Sequence, residues 1–221
     1  MKGFQPASLP SPAASRVAGL DLGFVPGEGG LDVAGMLAAA AKGELDVLYL
    51  LGADELPMAS LGGTFVVYQG SHGDAGAERA DVVLPGSAYT EKSGTYVNTE
   101  GRAQLTRRAT FAPGEAKEDW AILRALSAHV GRPLPYDDLS GLRASMYKGT
   151  PQLARIEAVE PAPTLGLKTL AAHGGMLGKE PFGQAVRDYY LTNAIARASA
   201  VMAELSALRK QGIGGASPTH G

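Results

Sequence analysis

Residues 46–85 read DVLYLLGADELPMASLGGTFVVYQGSHGDAGAERADVVLP, and they carry the clearest indication of the fold class. It contains three short apolar runs, at residues 46–52, 64–69 and 81–85. Strands that are apolar on both faces need cover above and below. This favours parallel strands inside an α/β layer over an exposed antiparallel sheet. The segments between the runs have about ten residues, near the lower limit for a crossover between parallel strands.

Helices are predicted on both sides of this stretch. Asp32, an alanine-rich run and Gly43 are typical of a capped helix start, a strong helix former and a helix stop. Short helical turns are predicted at 56–61 and 75–80. A longer helix is predicted over 115–130, and a second short helix from Asp137 to Gly149. A terminal amphipathic helix is predicted over 192–210, with its apolar face formed by Ile195, Ala198, Met202, Leu205 and Leu208.

These elements predict an α/β fold, namely a partial doubly wound parallel sheet followed by a C-terminal amphipathic helix. The predicted organisation is a partly disordered leader at 1–19, an α/β domain at 20–150, a Pro/Gly/Ala-rich linker at 151–189, the terminal helix at 190–210 and a disordered tail at 211–221. The acid-poor, serine-rich leader leaves a targeting peptide open as an alternative, although its prolines would interrupt an amphipathic helix.

Composition excludes several classes of function. The 221 residues include no cysteine, which excludes disulfides, thiolate zinc sites, cysteine-ligated iron–sulphur clusters and a cysteine nucleophile in this chain. Four histidines lie far apart along the chain, which argues against a histidine-rich metal site. A formal net charge of −2 offers no broad attraction to nucleic acid or anionic lipid. No apolar run is long enough to span a bilayer.

The carboxyl ends of the predicted strands form the first candidate site, because open α/β sheets bind ligands there. This crevice would be lined by residues 52–54, 70–74 and 85–87, whose glycines could let a phosphate approach backbone amides. However, Asp54, Asp74 and Glu78 crowd the same rim, and Arg79 is the basic residue near them in sequence. A closed or vestigial crevice is therefore favoured over an intact nucleotide site.

Four side chains of the same loops suggest chemistry only weakly. His72 with Asp74 could be a metal pair or a general base with its orienting acid, but a surface histidine on a glycine-rich loop is the simpler interpretation. Ser71 and Ser87 lack the sequence context of a nucleophile elbow.

Residues 94–104 (GTYVNTEGRAQ) form the most specific stretch. If the chain is extended there, the period of two places polar side chains on one face. Such a row could recognise a heterocycle or its phosphates, or it could be a satisfied polar network that holds a long loop in place. The residues alone favour the network but leave both open. The row consists of Tyr96, Asn98, Glu100, Arg102 and Gln104.

At this stretch the chain resembles a known family. Residues 80–109 (ADVVLPGSAYTEKSGTYVNTEGRAQLTRRA), followed by KEDWAILRAL at 117–126, are similar to the end of a molybdopterin-oxidoreductase-like domain, most closely that of the large iron–sulphur subunit of respiratory complex I. The segments AASRVAGLDLGFVPGEGG (13–30), LLGADEL (50–56) and PFGQAVRDYYLTNAIARASAVMAEL (181–205) resemble the same subunit in its alphaproteobacterial and mitochondrial form.

The resemblance implies a non-catalytic structural segment of NADH:quinone oxidoreductase, with no catalytic, cofactor-binding or metal-binding residue and no cofactor in this chain. Implied partners are the other peripheral-arm subunits and a cluster-bearing N-terminal part of the large iron–sulphur subunit, with no nucleic acid and no membrane insertion. The implied location is the cytoplasmic face of the bacterial inner membrane or the matrix side of the mitochondrial one. Iron–sulphur clusters are expected in the part that this chain does not carry.

The alternative that the resemblance leaves open is a fragment of a molybdopterin enzyme of the formate-dehydrogenase type, in which Asn98, Glu100, Arg102 and Gln104 would contact the pterin. The absence of strand-like segments after Val130 favours the complex I subunit. The front half of the family's domain is missing as well, so a split-gene product, a truncation and a fragment are all compatible with the sequence. A sheet that lacks half of its domain should expose an edge and an apolar face.

Overall fold

A computed structural model describes residues 16–159 and 188–211 of the protein. In this described part of the chain, five strands form two sheets: β1 (Val47–Leu51), β2 (Phe65–Gly70), β3 (Val82–Pro85), β4 (Gly94–Val97) and β5 (Ala103–Thr106). The helices are α1 (Arg16–Asp21), α2 (Val33–Ala41), α3 (Ala75–Arg79), α4 (Asp119–His129), α5 (Leu139–Gly149), α6 (Ala194–Arg197) and α7 (Ala200–Lys210). Short 3-10 turns occur at Met58–Leu61, Pro151–Ala154 and Tyr189–Leu191.

The predicted parallel sheet is confirmed, with strand order β1-β2-β3. Val47 lies opposite Phe65 in the first pair, and Val67 lies opposite Val82 in the second, both in parallel register. Each observed strand lies within one residue of its predicted bounds, because each apolar run ends at a turn residue that the sequence displays. The α/β class and the C-terminal helical element therefore stand as expected.

One face of this sheet carries the main core. Leu48, Leu50, Val66 and Tyr68 point to it and are at most 8% exposed. Helices α2 and α3 and the turn at Met58–Leu61 cover them. Helix α2 begins as predicted, because the Asp32 carboxylate accepts a hydrogen bond from the Gly35 amide at 2.8 Å.

Among the described residues, the opposite face of the sheet is largely exposed to solvent. The start of α4 contacts it at β2. The expectation that both faces are covered is therefore wrong for this part of the chain. Val47, Leu51, Phe65 and Val82 lie on it, and they are 55%, 52%, 46% and 38% exposed. The register of the strands places them on one surface. We call these four residues the open sheet face. It agrees with the exposed apolar face that a partial domain predicts.

The polar stretch at 94–104 is a β-hairpin rather than a single extended strand, and its pairing still places Tyr96 and Gln104 on one face. Strands β4 and β5 pair antiparallel, with Tyr96 opposite Gln104, and the chain reverses between them. Gly101 has φ +84°, a conformation that glycine adopts without strain. The hairpin contributes Val97 and Ala103 to a second, smaller core with Leu153.

Two helix predictions also need correction. Helix α4 begins at Asp119 rather than at 115, because Lys117 forms a parallel bridge with Gly86 next to β3 and is held in extended backbone. The terminal helix is divided, because Asn193 and Ser199 each act as an N-cap, through the amides of Ala196 at 2.8 Å and of Met202 at 3.4 Å. Helices α6 and α7 result.

The predicted leader, linker and tail fall mainly on residues 1–15, 160–187 and 212–221, which lie outside the described residues. The division into domains therefore stays a prediction. Within the described residues, no helix combines the length and apolar character needed to cross a membrane.

Candidate functional site at the carboxyl ends of the strands

A cleft lies where β2 and β3 end, and only part of the predicted set lines it: residues 70–72, 85 and 86 do, whereas 52–54 do not. The ladder continues one step beyond the strands, since the Gly52 amide donates to the Gln69 carbonyl at 2.7 Å and the Gly86 amide donates to the Gly70 carbonyl at 2.9 Å. The cleft beside the ends of β2 and β3 has a volume of about 330 Å³. Its lining includes Gly70, His72, Pro85, Gly86, Glu91 and Glu115.

Asp54 is a buried acid at the carboxyl end of β1, outside the lining of this cleft. Its side chain has no exposed surface, and it follows the turn that ends β1. Its carboxylate accepts hydrogen bonds from the Tyr68 hydroxyl at 3.0 Å and from the Gly76 amide at 3.2 Å. The Tyr68 hydroxyl also lies 3.0 Å from the His72 carbonyl oxygen. Burial above all, together with the hydrogen bond to Asp54, raises the pKa of Tyr68 well above its ordinary value.

Gly76 is the residue that allows Asp54 and Tyr68 to meet. A β-carbon at this position would lie 2.9 Å from the Asp54 carboxylate and 2.9 Å from the Tyr68 ring. A residue with a side chain therefore cannot replace Gly76 without displacing a buried group.

Arg197 enters this acidic cluster from the far end of the chain. Its Nε donates to Asp74 at 2.5 Å, and its Nη1 donates to Glu55 at 3.1 Å. Its Nη2 lies 3.9 Å from Asp54. Asp54 and Asp74 were predicted at this rim together with Glu78, but the third acid that Arg197 contacts is Glu55. The cation itself was not predicted, because 123 residues separate Arg197 from Asp74.

The Arg197 ion pair changes the protonation equilibria of the rim. The hydrogen bond from Arg197 is the largest effect on Asp74, and it holds the pKa of that carboxyl below its ordinary value despite partial burial. Burial acts to lower the pKa of Arg197, but its contacts with Asp74 and Glu55 raise that pKa overall. Both groups are therefore charged over the physiological pH range.

The structure does not join His72 and Asp74 as a pair. Asp74 caps α3 through the Ala75 amide at 2.8 Å and binds Arg197. His72 Nδ1 lies 2.9 Å from the Ser71 hydroxyl. Ser87 is 3% exposed, and its hydroxyl makes no hydrogen bond with the described residues. Among those residues, no three His, Cys, Asp or Glu side chains are grouped so that they could hold a metal ion.

The polar row of the hairpin is bonded within the chain. The Asn98 side-chain oxygen accepts from the Glu100 and Arg102 amides, both at 3.0 Å, and so closes the turn. Arg102 donates to the Glu157 carbonyl at 2.6 Å, and Gln104 lies 3.3 Å from the Glu157 carboxylate. These contacts tie the hairpin to the segment after α5.

The Tyr96 ring lies on the same face of the hairpin as Gln104. It is 37% exposed and lies opposite Gln104 in the strand pair. A β-carbon on Gly94 would lie 2.7 Å from this ring, so the glycine makes room for it on the hairpin surface.

A second polar network lies behind the crevice and was not anticipated. The side chain of Gln69 is fully buried, accepts a hydrogen bond from the Tyr49 hydroxyl and donates to Asp119 Oδ1 at 2.9 Å. Asp119 is also paired with Lys92. Burial, reinforced by the Asp119 charge, raises the pKa of Tyr49. The network fastens α4 to the centre of the sheet, which explains why a glutamine can occupy a buried strand position.

Two protein families match separate parts of the chain. Molybdopterin oxidoreductase matches residues 2–129, and the C-terminal family of the NADH-ubiquinone oxidoreductase G subunit matches residues 158–205. A solved structure, acetylene hydratase from Pelobacter acetylenicus, is similar at a TM-score of 0.43 and 21% identity, over 56% of this chain and 19% of that one.

Individual relatives cover most of the chain. The mitochondrial NADH-ubiquinone oxidoreductase 78 kDa subunit of Neurospora crassa is 45% identical over 206 residues, which are 90% of this chain and 26% of that protein. The 75 kDa subunit of Reclinomonas americana is 42% identical over 198 residues, 90% of this chain and 28% of that protein. The mitochondrial iron-sulfur protein 1 of NADH dehydrogenase [ubiquinone] from Solanum tuberosum is 43% identical, over 90% of this chain and 26% of that protein.

The chain thus spans about a quarter of the length of these relatives. The first family match extends over more than half of the 221 residues, and the identities of 42–45% extend over nine-tenths of them. The chain belongs to the molybdopterin oxidoreductase family and, within it, is similar over most of its length to the 75/78 kDa subunit of NADH-ubiquinone oxidoreductase.

Proposed function

We propose that this chain is a non-catalytic structural and assembly segment of the large iron–sulphur subunit in the proton-pumping NADH:quinone oxidoreductase, respiratory complex I. The observation that carries the proposal is the identity of 42–45% with the 75/78 kDa subunit over 90% of the chain. The match of residues 158–205 to the C-terminal family of the G subunit, the same large iron–sulphur subunit, supports the assignment at the other end.

The proposal assigns electron transfer to other parts of the complex. The sequence has no cysteine, so it cannot supply thiolates to an iron–sulphur cluster. Clusters then belong to an N-terminal part of the large subunit, and this chain supports them mechanically. In this proposal residues 20–150 form the end of the α/β domain, 151–189 connect it to the helical segment at 190–210, and residues 1–19 and 211–221 flank them.

The family name raises the question of whether a molybdopterin cofactor fits these residues, and the contacts argue against it. Such a cofactor brings phosphate groups, yet among the described residues the cleft is lined by Glu91 and Glu115 with no lysine or arginine. Beside it, Asp54, Glu55 and Asp74 surround one arginine. The Arg102 guanidinium, the best phosphate ligand of the polar row, is bonded to Glu157 and Glu100. The residues do not fit this anionic group, and we derive no step through it.

The open sheet face supports a role in assembly. Its apolar residues would remain in water if the described part of the chain stood alone, and surfaces of this kind mark interaction sites. We propose that the cluster-bearing part of the large subunit and neighbouring peripheral-arm subunits cover it. The corresponding location is the matrix side of the mitochondrial inner membrane or the cytoplasmic face of the bacterial one.

The test is genetic and biochemical. A tagged full-length chain should copurify with the NADH:quinone oxidoreductase, and deletion of its gene should abolish or strongly reduce NADH:quinone activity in membranes. Migration of the chain by itself, combined with full activity after deletion, would refute the proposal. Stoichiometric molybdenum or tungsten in the purified assembly would instead support the molybdopterin-enzyme alternative.

A surface variant adds a structural control. Leu51→Arg places a charge on the open sheet face, and Val201→Arg places one on the 61% exposed position of α7. We expect the first variant to reduce incorporation of the chain into the complex and the second to leave it unchanged. Equal incorporation of both variants would show that the open sheet face is not an assembly surface.

A further inference from the structure

Arg197 makes contacts that reach well beyond its own helix. It belongs to the segment 188–211, which is tied together internally: Asp188 pairs with Ser206 and lies 3.7 Å from Lys210. The Arg209 guanidinium lies over the Tyr189 ring, 4.6 Å from its centroid. The two ends of the segment are therefore joined, and it forms a small helical unit of its own.

The rim that receives Arg197 is built from two strands. Asp54 and Glu55 follow β1 and Asp74 follows β2, so parallel pairing brings the three carboxylates to one edge of the sheet. Their local partners are neutral, namely the Tyr68 hydroxyl and the amides of Gly76 and Ala75. Neutral donors satisfy carboxylate lone pairs but leave three negative charges close together.

The nearest other arginine in sequence does not neutralise this rim. Arg79 donates to the Gly62 and Thr64 carbonyls at 3.0 and 2.9 Å and lies 3.4 Å from Asp81, at the opposite edge of the sheet. Arg197 uses all three of its nitrogens on the rim, one toward each carboxylate, and its side chain is 24% exposed. A planar fork matches this spread of acceptors, whereas an ammonium group is a single point charge.

We propose that Asp54, Glu55 and Asp74 form a guanidinium-binding site, and that Arg197 occupies it as a latch that keeps segment 188–211 closed over the carboxyl ends of β1 and β2. The proposal is independent of the function assigned above, since it concerns contacts within one chain. The chain's own arginine thus lies at the carboxyl ends of β1 and β2, on the edge of the sheet where open α/β sheets bind ligands.

The test is hydrogen exchange, followed by mass spectrometry, on the full-length chain purified with whatever assembles with it. Arg197→Ala should speed amide exchange in segment 188–211 by about tenfold or more, because it removes charge-assisted hydrogen bonds. Amides of β1–β3 should change much less. Arg124→Gln is the matched control, because Arg124 also joins a carboxylate, Asp137 at 2.8 Å, and a carbonyl, that of Tyr136 at 2.9 Å, away from the rim.

Chemical rescue tests the preference for guanidinium. Methylguanidinium chloride should restore protection of the segment in Arg197→Ala, and sodium chloride at equal ionic strength should not. Rescue by both salts, or by neither, would refute a guanidinium-binding site. Unchanged exchange of the segment in Arg197→Ala would refute the latch.

Arg197→Lys and Asp74→Asn cover the case in which Arg197→Ala destabilises the whole chain. Lysine keeps the charge but loses the fork, and asparagine keeps the helix cap but loses the charge. Both should open the segment while the sheet stays protected. If exchange in the sheet and the segment rises equally in both variants, Arg197 is a general stability residue and the latch is refuted.

Discussion

Replacing Tyr68 by phenylalanine tests most directly the hydrogen bond between the Tyr68 hydroxyl and the buried Asp54 carboxylate. The ring is 1% exposed, and phenylalanine fills the same space, so the change deletes a hydroxyl without opening a cavity. The lost hydroxyl donates to the fully buried carboxylate of Asp54 at 3.0 Å and lies at the same distance from the His72 carbonyl. A hydrogen bond to a charged group contributes about 1.5–3 kcal/mol to stability. We therefore expect Tyr68→Phe to lower the free energy of unfolding by about 2–3 kcal/mol.

Native-state hydrogen exchange of the β1–β3 amides measures this loss. A change of about 2–3 kcal/mol corresponds to exchange about 30- to 140-fold faster in amides that open by global unfolding. Tyr96→Phe is the matched control, since the Tyr96 ring is 37% exposed and its loss of a hydroxyl should cost under about 0.5 kcal/mol.

A double-mutant cycle identifies the charge as the cause. In an Asp54→Asn background the tyrosine bonds a neutral acceptor, so Tyr68→Phe should then cost about 1 kcal/mol. An equal cost in both backgrounds, or a cost no larger than that of Tyr96→Phe, would refute the reasoning.

Three further changes in the same region have definite expected outcomes. Gly76→Ala should destabilise the chain by about 1–3 kcal/mol in the same exchange experiment, because its β-carbon would lie 2.9 Å from the buried Tyr68 ring. Gly73→Ala is the control and should be nearly neutral, because the space around Gly73 is open. Because the pKa values of Tyr68 and Tyr49 are raised on folding, their contribution to stability is complete below pH 10.0 and is lost at higher pH; Tyr68→Phe should reduce that alkaline loss in a pH titration of stability. The pKa of Asp74 is lowered on folding, so its contribution is present above pH 3.8 and is lost as pH falls through the lower folded value; exchange in segment 188–211 should rise there, and less so in Asp74→Asn.

Local signals were sufficient to predict the sheet. The three apolar runs each end at a glycine or proline turn, and the caps of α2 and α5 are aspartates that the sequence shows directly. Asp138 accepts from the Gly141 amide at 2.7 Å, one residue from the predicted start at Asp137. Interactions between near neighbours in sequence determine such features, and this is why they can be read without knowledge of the tertiary structure.

The hairpin was missed because the period-of-two rule assumes an extended chain. Asn98 and Gly101 lie between two strand-like segments. These turn-forming residues were a signal in the sequence that the chain could reverse at this point. The role of Glu157 had no such signal. It lies 55 residues from Arg102 and adopts φ +64°, a conformation held in place by tertiary contacts.

The contact between Arg197 and the acidic rim could be predicted from the sequence only in part. No local pattern pairs residues 123 positions apart, so the partner of the rim could not be named. The need for a partner could be predicted, because the sheet brings together carboxylates that follow adjacent parallel strands. Like charges at the edge of a core are unfavourable unless a cation joins them. An acidic rim on an α/β crevice therefore predicts a cation in that place. Here the cation comes from the chain itself, so an acidic rim at a sheet's carboxyl edge is not by itself evidence for a bound ligand.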